Sequence, residues 1–157
     1  MQLANYFFAS IISFMGLAAG FLLVKIAPEE QKPLQKKIFL VRKFFLYAIF
    51  TFIAFYYYAS PFYLMILLAS LALLLFAEYK IKSILRKTML AYAAFGMLFF
   101  ISSKNTNLFA ITSSLIFLHG MPAASLMYSL RQKNLGKIFL NNSIFLVIAN
   151  ALFLIFI

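Results

Sequence analysis

Long apolar stretches joined by very short polar linkers constrain this chain more than anything else in it. Six can be cut: Leu3 to Ala27, ended by Pro28; Ile38 to Ser60, closed by Pro61; Phe62 to Tyr79; Ile84 to Ser103; Asn107 to Ser129; and Lys137 to Ile157. Crossing about 30 Å of hydrocarbon takes about 20 helical residues. A helix satisfies its backbone polar groups within the segment, as a chain surrounded by lipid must. The fourth stretch is the shortest in uncharged residues and spans fully only if Arg86 and Lys87 extend their stems to the interface. The expected fold is an all-α polytopic membrane helix bundle of about six transmembrane helices, arranged as three helical hairpins with short loops. Residues 1–157 then form a single integral membrane domain.

Composition agrees. Of the 157 residues, 66% are hydrophobic and 11% charged, against about 45–50% and about 25% in soluble domains. A small water-soluble domain leaves too much of its surface exposed to hide such a chain. The N-terminal Met1-Gln2-Leu3 has no positive region before the first apolar run. A cleaved signal peptide is therefore not expected, and the first run is a helix that stays.

Charge tests the division independently. Lys25, Lys32, Lys36, Lys37, Arg42 and Lys43 cluster around the first linker, Lys80, Lys82, Arg86 and Lys87 around the third, and Arg131, Lys133 and Lys137 around the fifth. Of the 14 Lys and Arg residues only Lys104 falls elsewhere. Basic linkers stay in the cytoplasm. The expectation is a multi-pass protein of the cell membrane with cytoplasmic basic loops and both termini outside. The net charge of +11 would then face the anionic headgroups of membrane lipids rather than nucleic acid. The tyrosines fall toward the ends of the stretches, as phenols gathering at headgroup level would.

Two segments resemble each other. Gln31 to Leu40 matches Gln132 to Leu140 with one gap, and Gly16-Leu-Ala-Ala-Gly20 parallels Gly120-Met-Pro-Ala-Ala124. The hairpins 3–60 and 107–157 are therefore read as related, in the same orientation, against coincidence in a biased alphabet. In this alignment Arg42 and Lys43 stand where Asn142 and Ser143 stand.

Candidate functional residues lie inside the spans. Gly16 and Gly20 form a G-x-x-x-G on the face that carries Asn5, Ala9 and Ser13. Such a face lets helix backbones approach closely, within the bundle or against a second subunit. Gly120 and Ala124 are the matching helix-packing candidates. The fifth stretch is the most polar, with Thr112 and His119 on one face and Pro122 beyond them. Pro122 cannot donate to the Leu118 carbonyl, which predicts a kink. An intramembrane His binds a ligand, relays a proton, or is a neutral ring hydrogen-bonded across the bundle. In the sixth stretch Asn141 and Asn142 lie near the inner end and Asn150 near the middle. Arg42 is expected to snorkel to the inner surface, or to form with Asn142 a shallow vestibule for an anionic ligand. Glu29 and Glu30 are read as first-turn residues of a short surface helix whose buried side is Leu34, Ile38 and Val41. Glu78 is read as a local partner of Lys80.

Enzymatic chemistry is not expected. The chain has no Cys and no Asp, and its acids are Glu29, Glu30 and Glu78. His119 has no acid partner for a triad, a metal site would lack ligands, and no cofactor motif appears. Two functions remain. The first is a non-enzymatic subunit or accessory protein of a membrane complex, with other membrane subunits or further copies of itself as partners. The second is a small facilitator-type transporter or channel for a neutral or anionic solute or lipid, with His119, Asn142 and Asn150 lining the path.

Overall fold

The computed structural model describes residues 3–58, 60–129 and 134–156. Arg131 and Lys133 of the fifth linker, with Gln132 of the related segment, lie outside the described residues, as do the side chains of Glu30 and Lys32. The described chain is helical throughout, with no strand: α1 (Leu3–Phe14), α2 (Gly16–Ile26), a 3-10 turn (Pro28–Glu30), α3 (Gln31–Tyr56), α4 (Pro61–Lys80), α5 (Ile84–Ser102), α6 (Thr106–Ser129), α7 (Leu135–Asn142) and α8 (Ile144–Phe156). Six spans, Leu3–Ile26, Pro33–Tyr56, Pro61–Lys80, Ile84–Ser102, Thr106–Tyr128 and Leu135–Phe156, are long and apolar enough to cross a membrane. Even the 19-residue span is about 28 Å long as a helix. This is the architecture of a multi-pass membrane protein.

Local sequence sets the boundaries. Pro28 has no N–H to continue α2, and Pro61 opens α4 at a position where no partner is needed. The Asn105 side chain accepts from the amides of Asn107 (3.0 Å) and Leu108 (3.1 Å) and caps α6. Asn134 does the same for Lys137 at the start of α7. Two spans are interrupted: the first at Met15, whose amide is shared between the Ile11 and Ile12 carbonyls, the sixth at Ser143.

Two local expectations are corrected. No separate surface helix precedes the second span. Glu29 and Glu30 sit in a 3-10 turn, α3 runs unbroken from Gln31, and Val41 is 43% exposed. Tyr6 and Tyr92 point inward and are fully buried. Pro122 lies inside α6, which is helical on both sides of it.

Span order follows from pairwise contacts. Gly16 and Gly20 face Phe117 and Met121, a constant offset, so the first and fifth spans run parallel. Tyr6, Ser10 and Phe14 meet Phe153, Asn150 and Phe145, a falling register, so the first and sixth spans are antiparallel. The centre of the bundle is α6, which packs on α1, α2, α3 and α5, while α5 also packs on α8. The core is aromatic. Tyr6 stacks on Phe153 at 3.9 Å and meets Phe99 edge-on at 5.1 Å, and Phe99 meets Phe145 at 5.4 Å. Lipid tails solvate these rings as well as protein does, so close packing, not apolar burial, favours the assembled bundle. The third span is peripheral. Its most apolar window is 17% buried, against 56% for the fifth span.

Candidate functional site

The small-residue face of the first span is used inside the bundle. A Cβ on Gly16 would lie 2.8 Å from the Phe117 carbonyl carbon, and one on Gly20 would meet the Met121 backbone at 2.7 Å. From the other side, a Cβ on Gly120 would meet the Gly16 carbonyl carbon at 2.6 Å. Ala124 is fully buried, and Ser125 Oγ donates to the Met121 carbonyl at 2.9 Å and reaches the Gly20 carbonyl at 3.4 Å. Gly16, Gly20 and Gly120 thus form one backbone-to-backbone contact.

A buried polar group occupies the other side of α6. Arg42, on α3, has no exposed surface and is ion-paired with Glu78 of α4. Lys87 of α5 donates to the Glu78 carbonyl at 2.6 Å and approaches its carboxylate at 3.3 Å. One carboxylate therefore serves two cations. Both expectations for these charges are corrected: Arg42 does not snorkel to the surface, and Glu78 pairs with Arg42 and Lys87 instead of Lys80. The cause is desolvation. A cation this far into a span is costly unless an acid meets it there, and Glu78 is the acid within reach. The Arg42 guanidinium also lies 5.4 Å from the Phe39 ring centroid. Its Nε and Nη1 have no hydrogen-bond partner among the described residues.

His119 lies on α6, which packs on both α3 and α5. It is fully buried, 4.8 Å edge-on from Phe95 and 5.9 Å from the Tyr92 ring. The cross-bundle hydrogen bond expected for a neutral His is not made. Neither ring nitrogen has a partner among the described residues, nor do the Tyr92 hydroxyl and Thr112 Oγ1. Asn142 is fully buried; its amide donates to the Ile138 carbonyl at 2.7 Å and approaches the Met127 sulfur at 3.8 Å, leaving Oδ1 unpaired. Asn141 is half-buried. Asn150 belongs to a separate contact, donating to the Leu146 carbonyl at 2.8 Å and to Ser10 Oγ at 3.3 Å.

The structure therefore brings Arg42 together with Glu78 and Lys87, seats His119 against Tyr92 and Phe95, and sets Asn150 apart against the first span. The Glu78 partnership had a signal in the sequence, since an acid and a base inside neighbouring spans each need a countercharge. Among the described residues no group of three or more His, Cys, Asp or Glu side chains is placed to hold a metal ion. Comparison with protein-family models, curated proteins and solved structures found no match to the chain.

Proposed function

We propose that this protein is a non-enzymatic integral membrane subunit that acts by association with other membrane components. One observation carries the reading: the ionisable groups inside the spans, Arg42 and His119, are fully buried among the protein's own helices. His119 is closed in by Phe95 and Tyr92, Arg42 by Glu78 and Phe39, and Asn150 is bonded to Ser10. What the bundle offers outward is a lipid-facing apolar surface and basic linkers. The positive-inside bias places those linkers in the cytoplasm and both termini outside.

Purification in a mild detergent from the native membrane, followed by identification of co-purifying proteins, tests the reading. A reproducible stoichiometric protein partner is the expected result. A lone monomer that moves a solute across liposomes would refute it.

A second reading, facilitated passage of a small solute, is favoured by the polar atoms of Arg42, Tyr92, Thr112 and His119 that have no partner among the described residues. If these line a path, His119→Leu changes solute flux in liposomes. Unchanged flux removes His119 from that role.

A further inference from the structure

The geometry points to a binding site for the headgroup of an anionic phospholipid, in the cleft between the start of α3 and the α4–α5 linker. This site stands whether the protein acts as a subunit or as a facilitator.

The cleft has a volume of about 500 Å³. Its polar side carries Lys36, Lys82 and Lys87, and its apolar side Phe39, Leu40 and Ile84. A phospholipid presents the same two halves, a charged phosphate above an acyl chain. Lys36 and Lys82 are exposed, and neither has a carboxylate within ion-pair distance among the described residues. At the level of the linkers they are placed to meet a phosphate.

Charge balance gives a second, independent indication. Among the described residues Glu78 is the one acid paired with these cations, and it faces both Arg42 and Lys87. One positive charge is left over in a largely dehydrated setting, and Lys36 and Lys82 add to it. The fully buried Arg42 has two nitrogens with no partner among the described residues and lies against Phe39, a wall of the cleft. Surplus cation at the edge of the hydrocarbon is relieved by an anion held beside it. The path for an acyl chain is also present. Leu40, on the cleft wall, is 65% exposed, and Phe44, one helical turn deeper on the same face, is 66% exposed. A chain leaving the cleft along this stripe stays in lipid.

The protein has no Trp, so Phe39→Trp places a single reporter in the cleft wall and keeps an aromatic face for Arg42. In phosphatidylcholine vesicles, brominated phosphatidylglycerol is expected to quench this Trp more strongly than brominated phosphatidylcholine at equal mole fraction. The added variant K36Q/K82Q is expected to weaken that preference by about tenfold to thirtyfold in relative binding constant, as two interfacial lysines do. Added K25Q/K37Q removes the same charge outside the cleft and leaves the preference in place. Native mass spectrometry of the protein without the Trp reads the same site as one retained anionic lipid, lost in K36Q/K82Q. Equal quenching by the two lipids, equal loss in both lysine pairs, or an unchanged lipid count in K36Q/K82Q would overturn the proposal. Displacement by millimolar inorganic phosphate would assign the cleft to a free anion and overturn the lipid as its occupant.

Discussion

Replacing Gly16 by alanine puts a methyl group where the backbone of α6 already sits. The new Cβ would lie 2.8 Å from the Phe117 carbonyl carbon and 2.9 Å from its Cα. These are backbone atoms, so no rotamer change relieves the contact, and the two helices must move apart. A radial gap of about 0.5–1 Å forfeits about a quarter to a half of each dispersion contact. In lipid those contacts are what hold helices together. The loss should therefore reach the upper part of the overpacking range, about 3 kcal/mol. Gly20→Ala and Gly120→Ala, which meet backbone atoms at 2.7 Å and 2.6 Å, belong in the same class. Gly96→Ala is milder, because its nearest neighbours, the Ile148 Cβ and the Phe145 carbonyl, lie at 3.0 Å; about 1 kcal/mol is expected. Gly136→Ala meets only Asn134 Oδ1 at 3.2 Å and gains helix propensity, so it should fall within about 0.5 kcal/mol of the parent. Unfolding by SDS in mixed micelles, followed by circular dichroism, measures the series. Gly16→Ala as stable as Gly136→Ala would refute the backbone contact between the first and fifth spans.

Other substitutions probe the polar interior. Glu78→Gln leaves Arg42 buried without a countercharge and should cost about 3–5 kcal/mol in the same unfolding assay. The triple variant R42M/E78L/K87M, which removes all three charges, should recover most of that loss; failure to recover would show that the three charges are coupled to the rest of the bundle. His119→Leu should change stability by less than about 1 kcal/mol, because no hydrogen bond is lost. A large destabilisation would mean that His119 has a partner in the membrane. Tyr6→Phe removes the hydroxyl that donates to the Ala149 carbonyl at 3.0 Å and keeps the ring stack on Phe153. A loss of about 1 kcal/mol is expected, and no loss would mean that the two spans are not in this register.

The spans were legible in the sequence because length, apolarity and Pro punctuation each act locally. Pro28 and Pro61 mark real ends, and the predicted spans agree with the observed helices to within a few residues, except that α3 begins earlier and ends at Tyr56. What was not legible is which face of each span looks inward. In lipid both faces are apolar, so the periodicity that orients a soluble helix is weak. Tyr6 and Tyr92 show the consequence. Placement toward span ends suggested headgroup contact, yet both rings are in the core. Arg42 shows it for charge: snorkelling is a property of one side chain, whereas burial against Glu78 depends on how α3 and α4 meet. The Gly16–Gly20 pattern declared a close approach, and Gly120 was legible as a packing residue by its parallel with Gly16, but that the two glycines pack on each other depends on how the spans meet.

The third span is tied by polar side chains at its two ends and meets the core between them through Leu67 and Leu74. At one end Glu78 clasps Arg42 and Lys87; at the other Tyr63 is joined to Lys104 and lies 4.9 Å from the Tyr57 ring. Between these clasps the helix borders a cleft of about 330 Å³ against α5, lined by Leu73, Ala77 and Met97. The order of dismantling follows. Release of Glu78 frees one end of α4 while the aromatic core of the other spans stays closed. Amide exchange in α4 should then run ahead of exchange in α6, and α4 should be the last segment to dock when the chain matures in the bilayer.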